Sequence, residues 1–381
     1  MLIVAALIAI LLPLLFLWVV WAFDLYSSGR FRTVALSFAW GFVAFGLAFG
    51  LNTLARDRLL EGILGMDWHA STVVTVVLVA PIVEEILKSL VLIYLGRQPD
   101  FTYFVDGAIY GFAAGIGFSI LENFFYIFQS GGSGAQGTVL VVGRSFSTCL
   151  MHGSASALVG VAIGLFRYGH GRARLLSAVL GWAAAIFLHS GFNRVVEYWD
   201  GAAYLVGAVG LGVGGVILIY AFIRWGLRVE KQWIDETLDM KLGVTRKEKS
   251  LVLDLDKVEE LLKPVRQRFG KEKTAQVQEF LLKQAQLGIK QKARQLTADS
   301  ADGAVLEEQI AALQIEMDAI RRNVGVYCMT YVRSIFPPES VVLWSSLEQL
   351  VAEARQRPVQ FDMWGKLRDS ARAQTNGEPG G

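Results

Sequence analysis

In this chain of 381 residues 54% of side chains are hydrophobic, 12% are aromatic and only 18% are charged, and the mean hydropathy is +0.44. That composition excludes an ordinary soluble domain, and a formal net charge of +2 gives no basic surface for nucleic acid. Cys149 and Cys328 fall in different halves, so neither a disulfide framework nor a cysteine zinc site is available. The charges are unevenly spread: residues 1–225 hold 12 Lys/Arg and 11 Asp/Glu, whereas 226–381 hold 24 and 23. Two solvents are implied, which divides the chain into a transmembrane bundle over 1–225 and a water-facing helical domain over 226–381.

Taken in chain order, seven apolar segments are long enough to cross about 30 Å of hydrocarbon, a distance that takes about 20 helical residues. They lie at 1–23, 33–52, 71–95, 105–128, 138–166, 174–197 and 201–225. The first has neither a basic n-region nor a small-residue cleavage site, so it is expected to stay as a membrane helix. Residues 53–70 leave room for a short re-entrant or interfacial helix. Arg30, Arg32, Arg97, Arg167, Arg172, Arg174, Arg224, Arg228 and Lys231 fall on one side of the seven-helix count, against Arg56, Arg58 and Arg194 on the other. The positive-inside rule then predicts an outside N-terminus and a cytoplasmic C-terminal domain, in the cell (inner or plasma) membrane. The expected fold class is all-α, a polytopic bundle of about seven spans with a C-terminal helical domain.

That domain is expected to form helices near 255–269 and 272–296, parted around Gly270, and another at 340–356 after Pro337-Pro338. Leu306, Ile310, Leu313, Met317, Ile320, Val324 and Tyr327 recur in alternating steps of four and three, a coiled-coil-like seam. Packing within the domain is favoured for this seam over a homo-oligomer or partner contact. The ending ARAQTNGEPGG reads as disordered.

The segment STVVTVVLVAPIVEEILKSLVLIYL, 71–95, carries Glu84, Glu85 and Lys88 in its interior. Each such residue near the centre of a span costs about 2.5–3.5 kcal/mol to insert, while each Leu, Ile or Val returns about 0.3–0.6. These groups must therefore face protein or water and not acyl chains. Pro81, lacking an N–H, should release the Val77 carbonyl and kink the helix beside the acidic pair. In the next span Gly107, Gly111 and Gly115 repeat every four residues, which lets a neighbouring backbone approach closely. At about 1.5 Å per residue, Glu84, Glu122, His152 and His189 lie about 20, 9, 21 and 12 Å from the outer ends of their segments, compatible with one pocket.

Four of these stretches together resemble a known family. They are PIVEEILK (81–88), GFSILENFFY (117–126), His152 within LMHGSASALVG, and His189 and Asn193 within FLHSGFN. In this set and order the chain resembles the PrsW-type intramembrane proteases, distant relatives of the CAAX prenyl proteases. The resemblance covers about residues 71–197. It implies hydrolysis of a peptide bond in or near the transmembrane segment of a single-pass, membrane-anchored regulator of the anti-sigma-factor type.

Chemistry gives separate reasons for the same residues. Amide hydrolysis needs an activated water, a stabiliser for the oxyanion and a proton for the leaving amine. Glu84 or Glu85 is the candidate base. Lys88 lies four residues after one and three after the other, and can hold either ionised and oriented. His189 and Asn193 share a helix face and are candidate oxyanion donors, and His152 completes the water-activating set. A metal-dependent version uses Glu85, Glu122, His152 and His189 as ligands of a divalent ion such as zinc, with a position left for water. Arg144, at the depth of Glu122, is suited to a structural salt bridge with it. The same buried carboxylates and imidazoles also suit a proton- or ion-coupled transporter or a membrane sensor, although no internal repeat is visible.

Overall fold

A computed structural model describes residues 2–23, 31–98, 101–129, 135–168, 171–199, 201–238, 244, 246–296 and 302–335. Among the described residues all regular structure is helical. That is the outcome lipid imposes, since a span must satisfy its own backbone polar groups. In chain order the bundle comprises α1 (Leu2–Trp21), α2 (Phe31–Leu54), α3 (Trp68–Val74), α4 (Ala80–Gly96), α5 (Phe104–Gln129), α6 (Ala135–Tyr168), α7 (Gly171–Tyr198) and α8 (Gly201–Thr237). Among the described residues five stretches are long and apolar enough to cross a membrane: Phe31–Ile63, Phe104–Gln129, Ser145–Tyr168, Gly171–Tyr198 and Ala203–Thr237. The α1 helix and the α3–α4 segment, which complete the expected seven, are shorter or interrupted.

Residues 53–70 do not form a separate re-entrant helix. The α2 helix runs on as a π-helix over Ala55–Ile63, and the chain turns at Gly65, whose φ of 66° suits glycine. Asp67 then caps α3, its carboxylate accepting from Ala70 N–H at 3.0 Å.

The α5 and α6 helices form the centre. Of their apolar spans 94% and 83% are buried, against 17% for α7. The glycine repeat explains how they meet. A Cβ on Gly107, Gly111 or Gly115 would lie 2.1, 2.3 or 2.2 Å from the carbonyl oxygens of Gly160, Ser156 and His152 respectively. The three glycines thus sit against every fourth residue of antiparallel α6, and the close approach delivers His152 and Ser156 to the interior.

The α4 helix is fixed from several sides. Trp40 of α2 donates its indole N–H to the Leu87 carbonyl at 2.9 Å, and Trp182 of α7 donates to Ser89 Oγ at 3.2 Å. Arg167, at the end of α6, donates to the carbonyls of Gly96 and Gln98 at 2.6 Å each, satisfying the C-terminal end of α4.

The chain divides into compact units Met1–Met329 and Thr330–Gly381. The expected boundary at 226 falls inside α8, which crosses it as one helix. Thr237 of α8 bonds the Gly288 carbonyl at 2.8 Å, tying α8 to α11 (Lys263–Leu296). Between them lie α9 (Arg246–Leu253) and α10 (Val258–Leu261). The α11 helix breaks at Gly270, whose φ is 81°, where the sequence placed the division. It is followed by α12 (Asp302–Val324) and α13 (Val326–Ile335), parted at Gly325 with φ 87°. Leu306, Ile310, Leu313, Met317 and Val324 are buried in α12, whereas Tyr327, beyond the break, is exposed. The seam is therefore used within this unit, against α11. The expected helix at 340–356 and the tail lie outside the described residues.

Candidate active site

Glu84, Glu85, Lys88, His152 and His189 are all buried and meet at the junction of α4, α6 and α7. The sequence left open which glutamate Lys88 serves, and the structure assigns it to Glu85. Lys88 Nζ donates to Glu85 Oε1 at 2.5 Å and lies 3.0 Å from His152 Nδ1, over the Phe118 ring at 4.7 Å. Glu85 Oε1 also meets His189 Nδ1 at 2.9 Å, and Oε2 accepts from Ser156 Oγ at 3.3 Å. Glu85 thus accepts from three donors on three helices, which suits it to orienting its neighbours. Among the described residues the candidate metal-holding group is formed by Glu84, His152 and His189, without Glu85. An ionised carboxylate only accepts, so His189 carries its proton on Nδ1 and keeps the lone pair on Nε2.

Glu84 is placed differently. Its Oε1 accepts from Asn52 Nδ2 of α2 at 3.2 Å. Its Oε2 lies 3.7 Å from His189 Nε2, and both atoms are buried without a hydrogen bond. His152 completes the cluster, its Nε2 2.9 Å from Glu122 Oε2 of α5 and its ring edge-on to His189 at 4.7 Å. The Glu122 side chain is 14% exposed and is the least buried acid of the group. Glu84, His152 and His189 each bring one ligand atom to within 4.8 Å of the others, a group that could hold a metal ion.

These residues fit a divalent cation on three counts. Two unpartnered buried acceptors face one another, the first requirement of a ligand pair. The Glu85–His189 contact is the carboxylate–histidine pairing that orients a metal-binding imidazole. In ionised form Glu84 and Glu85 set two negative charges beside one ammonium, that of Lys88, and a bound cation would offset the excess. His152 joins by position, but its nitrogens already face Lys88 and Glu122, so a cation takes it only by displacing one of these contacts.

Asn193 does not face the reacting groups with its donor. A π-turn over Thr75–Val79 precedes α4, and Ala80 N–H reaches back five residues to the Thr75 carbonyl. The next donor in that register would come from residue 81, which is proline. Asn193 Nδ2 supplies the missing donor, bonding the Val76 carbonyl at 2.8 Å. Asn193 thus reaches the carbonyl one residue before the one the α-helical register points to, and this hydrogen bond braces the active-site helix. The Arg144 side chain lies outside the described residues. Sequence reading missed Asn52 and Ser156. Ser156 had a signal in its four-residue spacing from His152, while Asn52 reads as an ordinary polar residue near the end of a span.

Comparison with known proteins covers the same part of the chain. Residues 29–225 match the family model described as PrsW family intramembrane metalloprotease. The chain is 25% identical over 206 residues to the protein named Protease PrsW from Clostridioides difficile (strain 630), covering 52% of this chain and 77% of that protein. No solved structure matches it. All of the clustered residues, Asn52 included, fall inside the matched region, and the chain belongs to the PrsW family of intramembrane metalloproteases, membrane-embedded hydrolases.

Proposed function

We propose that this protein cuts a peptide bond in or beside the transmembrane segment of a single-pass regulator of the anti-sigma-factor type. The reading places it in the cell membrane with residues 226–381 in the cytoplasm, where the α9–α13 helices recruit or regulate the substrate. The observation that carries it is the buried, unpartnered pair Glu84 Oε2 and His189 Nε2, 3.7 Å apart and oriented from behind by Asn52 and Glu85.

Glu84, His152 and His189 would hold the ion, zinc by donor type. When bound, such an ion polarises the scissile carbonyl and makes a strong nucleophile of water near neutral pH. Glu85 and Lys88 keep His189 and His152 in place. Glu122, on the most open side of the cluster, takes the proton from the attacking water at its carboxylate and returns it to the leaving amine. The flanking helices α2, α5 and α6 keep bulk water from the ion-paired interior.

The test uses the purified full-length protein, reconstituted with single-pass candidate substrates. Wild type should cleave, chelator should abolish cleavage and zinc should restore it. Glu84→Gln and His189→Ala, folded as judged by thermal melting, should be inactive. Cleavage that persists in both variants overturns the assignment of these residues.

A further inference from the structure

Lys88 stands four residues after Glu84 and three after Glu85, spacings from which a lysine reaches either acid on one helix. Only Glu85 has it, at 2.5 Å. Something must keep Glu84 out of that pairing. Asn52 of α2 is the side chain that holds Glu84 from outside its own helix, Nδ2 to Oε1 at 3.2 Å. The amide orientation is fixed by this contact, since a flipped amide would set Oδ1 against a carboxylate oxygen, acceptor against acceptor. Asn52 Oδ1 is left buried with no hydrogen bond, as expected of a residue retained for its donor.

We infer that Asn52 is a positioning residue of the hydrolytic centre, which tethers Glu84 Oε1 so that Glu84 stays off Lys88 and presents Oε2 to the ion shared with His189. This rests on the metal-dependent reading given above. With Asn52 absent, Glu84 rotates toward Lys88, the two glutamates compete for one ammonium, and both the ion site and the Glu85–His189 contact weaken. Loss of such a supporting hydrogen bond typically lowers metal affinity about 10–100-fold.

Zinc affinity of the full-length protein in detergent, measured by competition with a chromophoric chelator, tests this in wild type, Asn52→Leu, Asn52→Asp and Asn52→Gln. The Leu and Asp variants should bind zinc about 10–100-fold more weakly, with kcat lowered and KM unchanged. Asn52→Gln, which keeps the donor, should recover part of both. If Asn52→Leu fails to fold, Asn52→Asp, which differs from the native side chain by one group, carries the test. Wild-type zinc affinity and kcat in the folded variants overturn the proposal. Glu84→Gln separates it from the reading beneath: if wild type takes up no zinc, or Glu84→Gln binds zinc as wild type does, the metal assignment falls, and kcat of the Asn52 variants alone then decides whether Asn52 positions Glu84.

Discussion

Replacing Asn193 by Leu removes one donor and little volume, and the consequence can be worked from the backbone around Pro81. Ala80 N–H is bonded to the Thr75 carbonyl, residue 81 has no N–H, and Asn193 Nδ2 is the group that reaches the Val76 carbonyl at 2.8 Å. An acceptor stranded in a protein interior costs about 1–3 kcal/mol, and hydrocarbon offers no water to replace the donor. Asn193→Leu should therefore lower the unfolding free energy in mixed micelles by about 1–3 kcal/mol. A second substitution identifies the cause. Pro81→Ala returns a backbone N–H at the position the register calls for, so in that background Asn193→Leu should cost clearly less. The double-mutant cycle reads the difference, and independent sites would add to within about 0.3–0.5 kcal/mol. Equal cost of Asn193→Leu in both backgrounds, together with a large loss of kcat in each, would refute the bracing role and return Asn193 to the oxyanion.

Lys88→Met should be among the most disruptive single changes, because it leaves Glu85 buried and uncompensated, at about 3–5 kcal/mol. Adding Glu85→Gln should recover much of that loss in thermal melting, and a double variant no more stable than Lys88→Met alone would contradict the pairing. Gly111→Leu drives a side chain into the Ser156 carbonyl, 2.3 Å from the site of a Cβ, so it should part α5 from α6 and abolish cleavage as well as lower the melting temperature; unchanged melting would deny that contact. The Ala70 N–H holds the Asp67 carboxyl below its usual 3.8. Because this value is depressed on folding, the cap strengthens α3 above pH 3.8 and is lost as the pH falls through the lower folded value. Amide exchange at Ala70 should rise over that acid window in wild type and show no such step in Asp67→Asn.

Much of the site could be read in advance, because charge inside an apolar span is costly and its presence in 71–95 is visible without any structure. The glycine repeat likewise announced a close helix contact, whose partner is α6. What the sequence withheld depended on choices between nearly equal local options. Lys88 reaches either glutamate by helical spacing, and only the positions of Asn52, Ser156 and His189 on other helices decide the matter. Pro81 leaves the Val76 carbonyl to Asn193 because the turn before it is π and not α, a register that apolar β-branched residues do not announce. The composition shift near residue 226 falls within α8, which runs as one helix from Gly201 to Thr237.

The bond between Glu85 and Lys88 lies within a single helix. A nascent chain delivers that segment to the translocon before the histidine-bearing helices have been synthesised, and two ionised side chains would then meet lipid unaided. Spaced one turn apart, they neutralise each other at once, and the segment partitions as a dipole instead of two separate ions. In the folded bundle the same pair meets two imidazoles, Glu85 that of His189 and Lys88 that of His152.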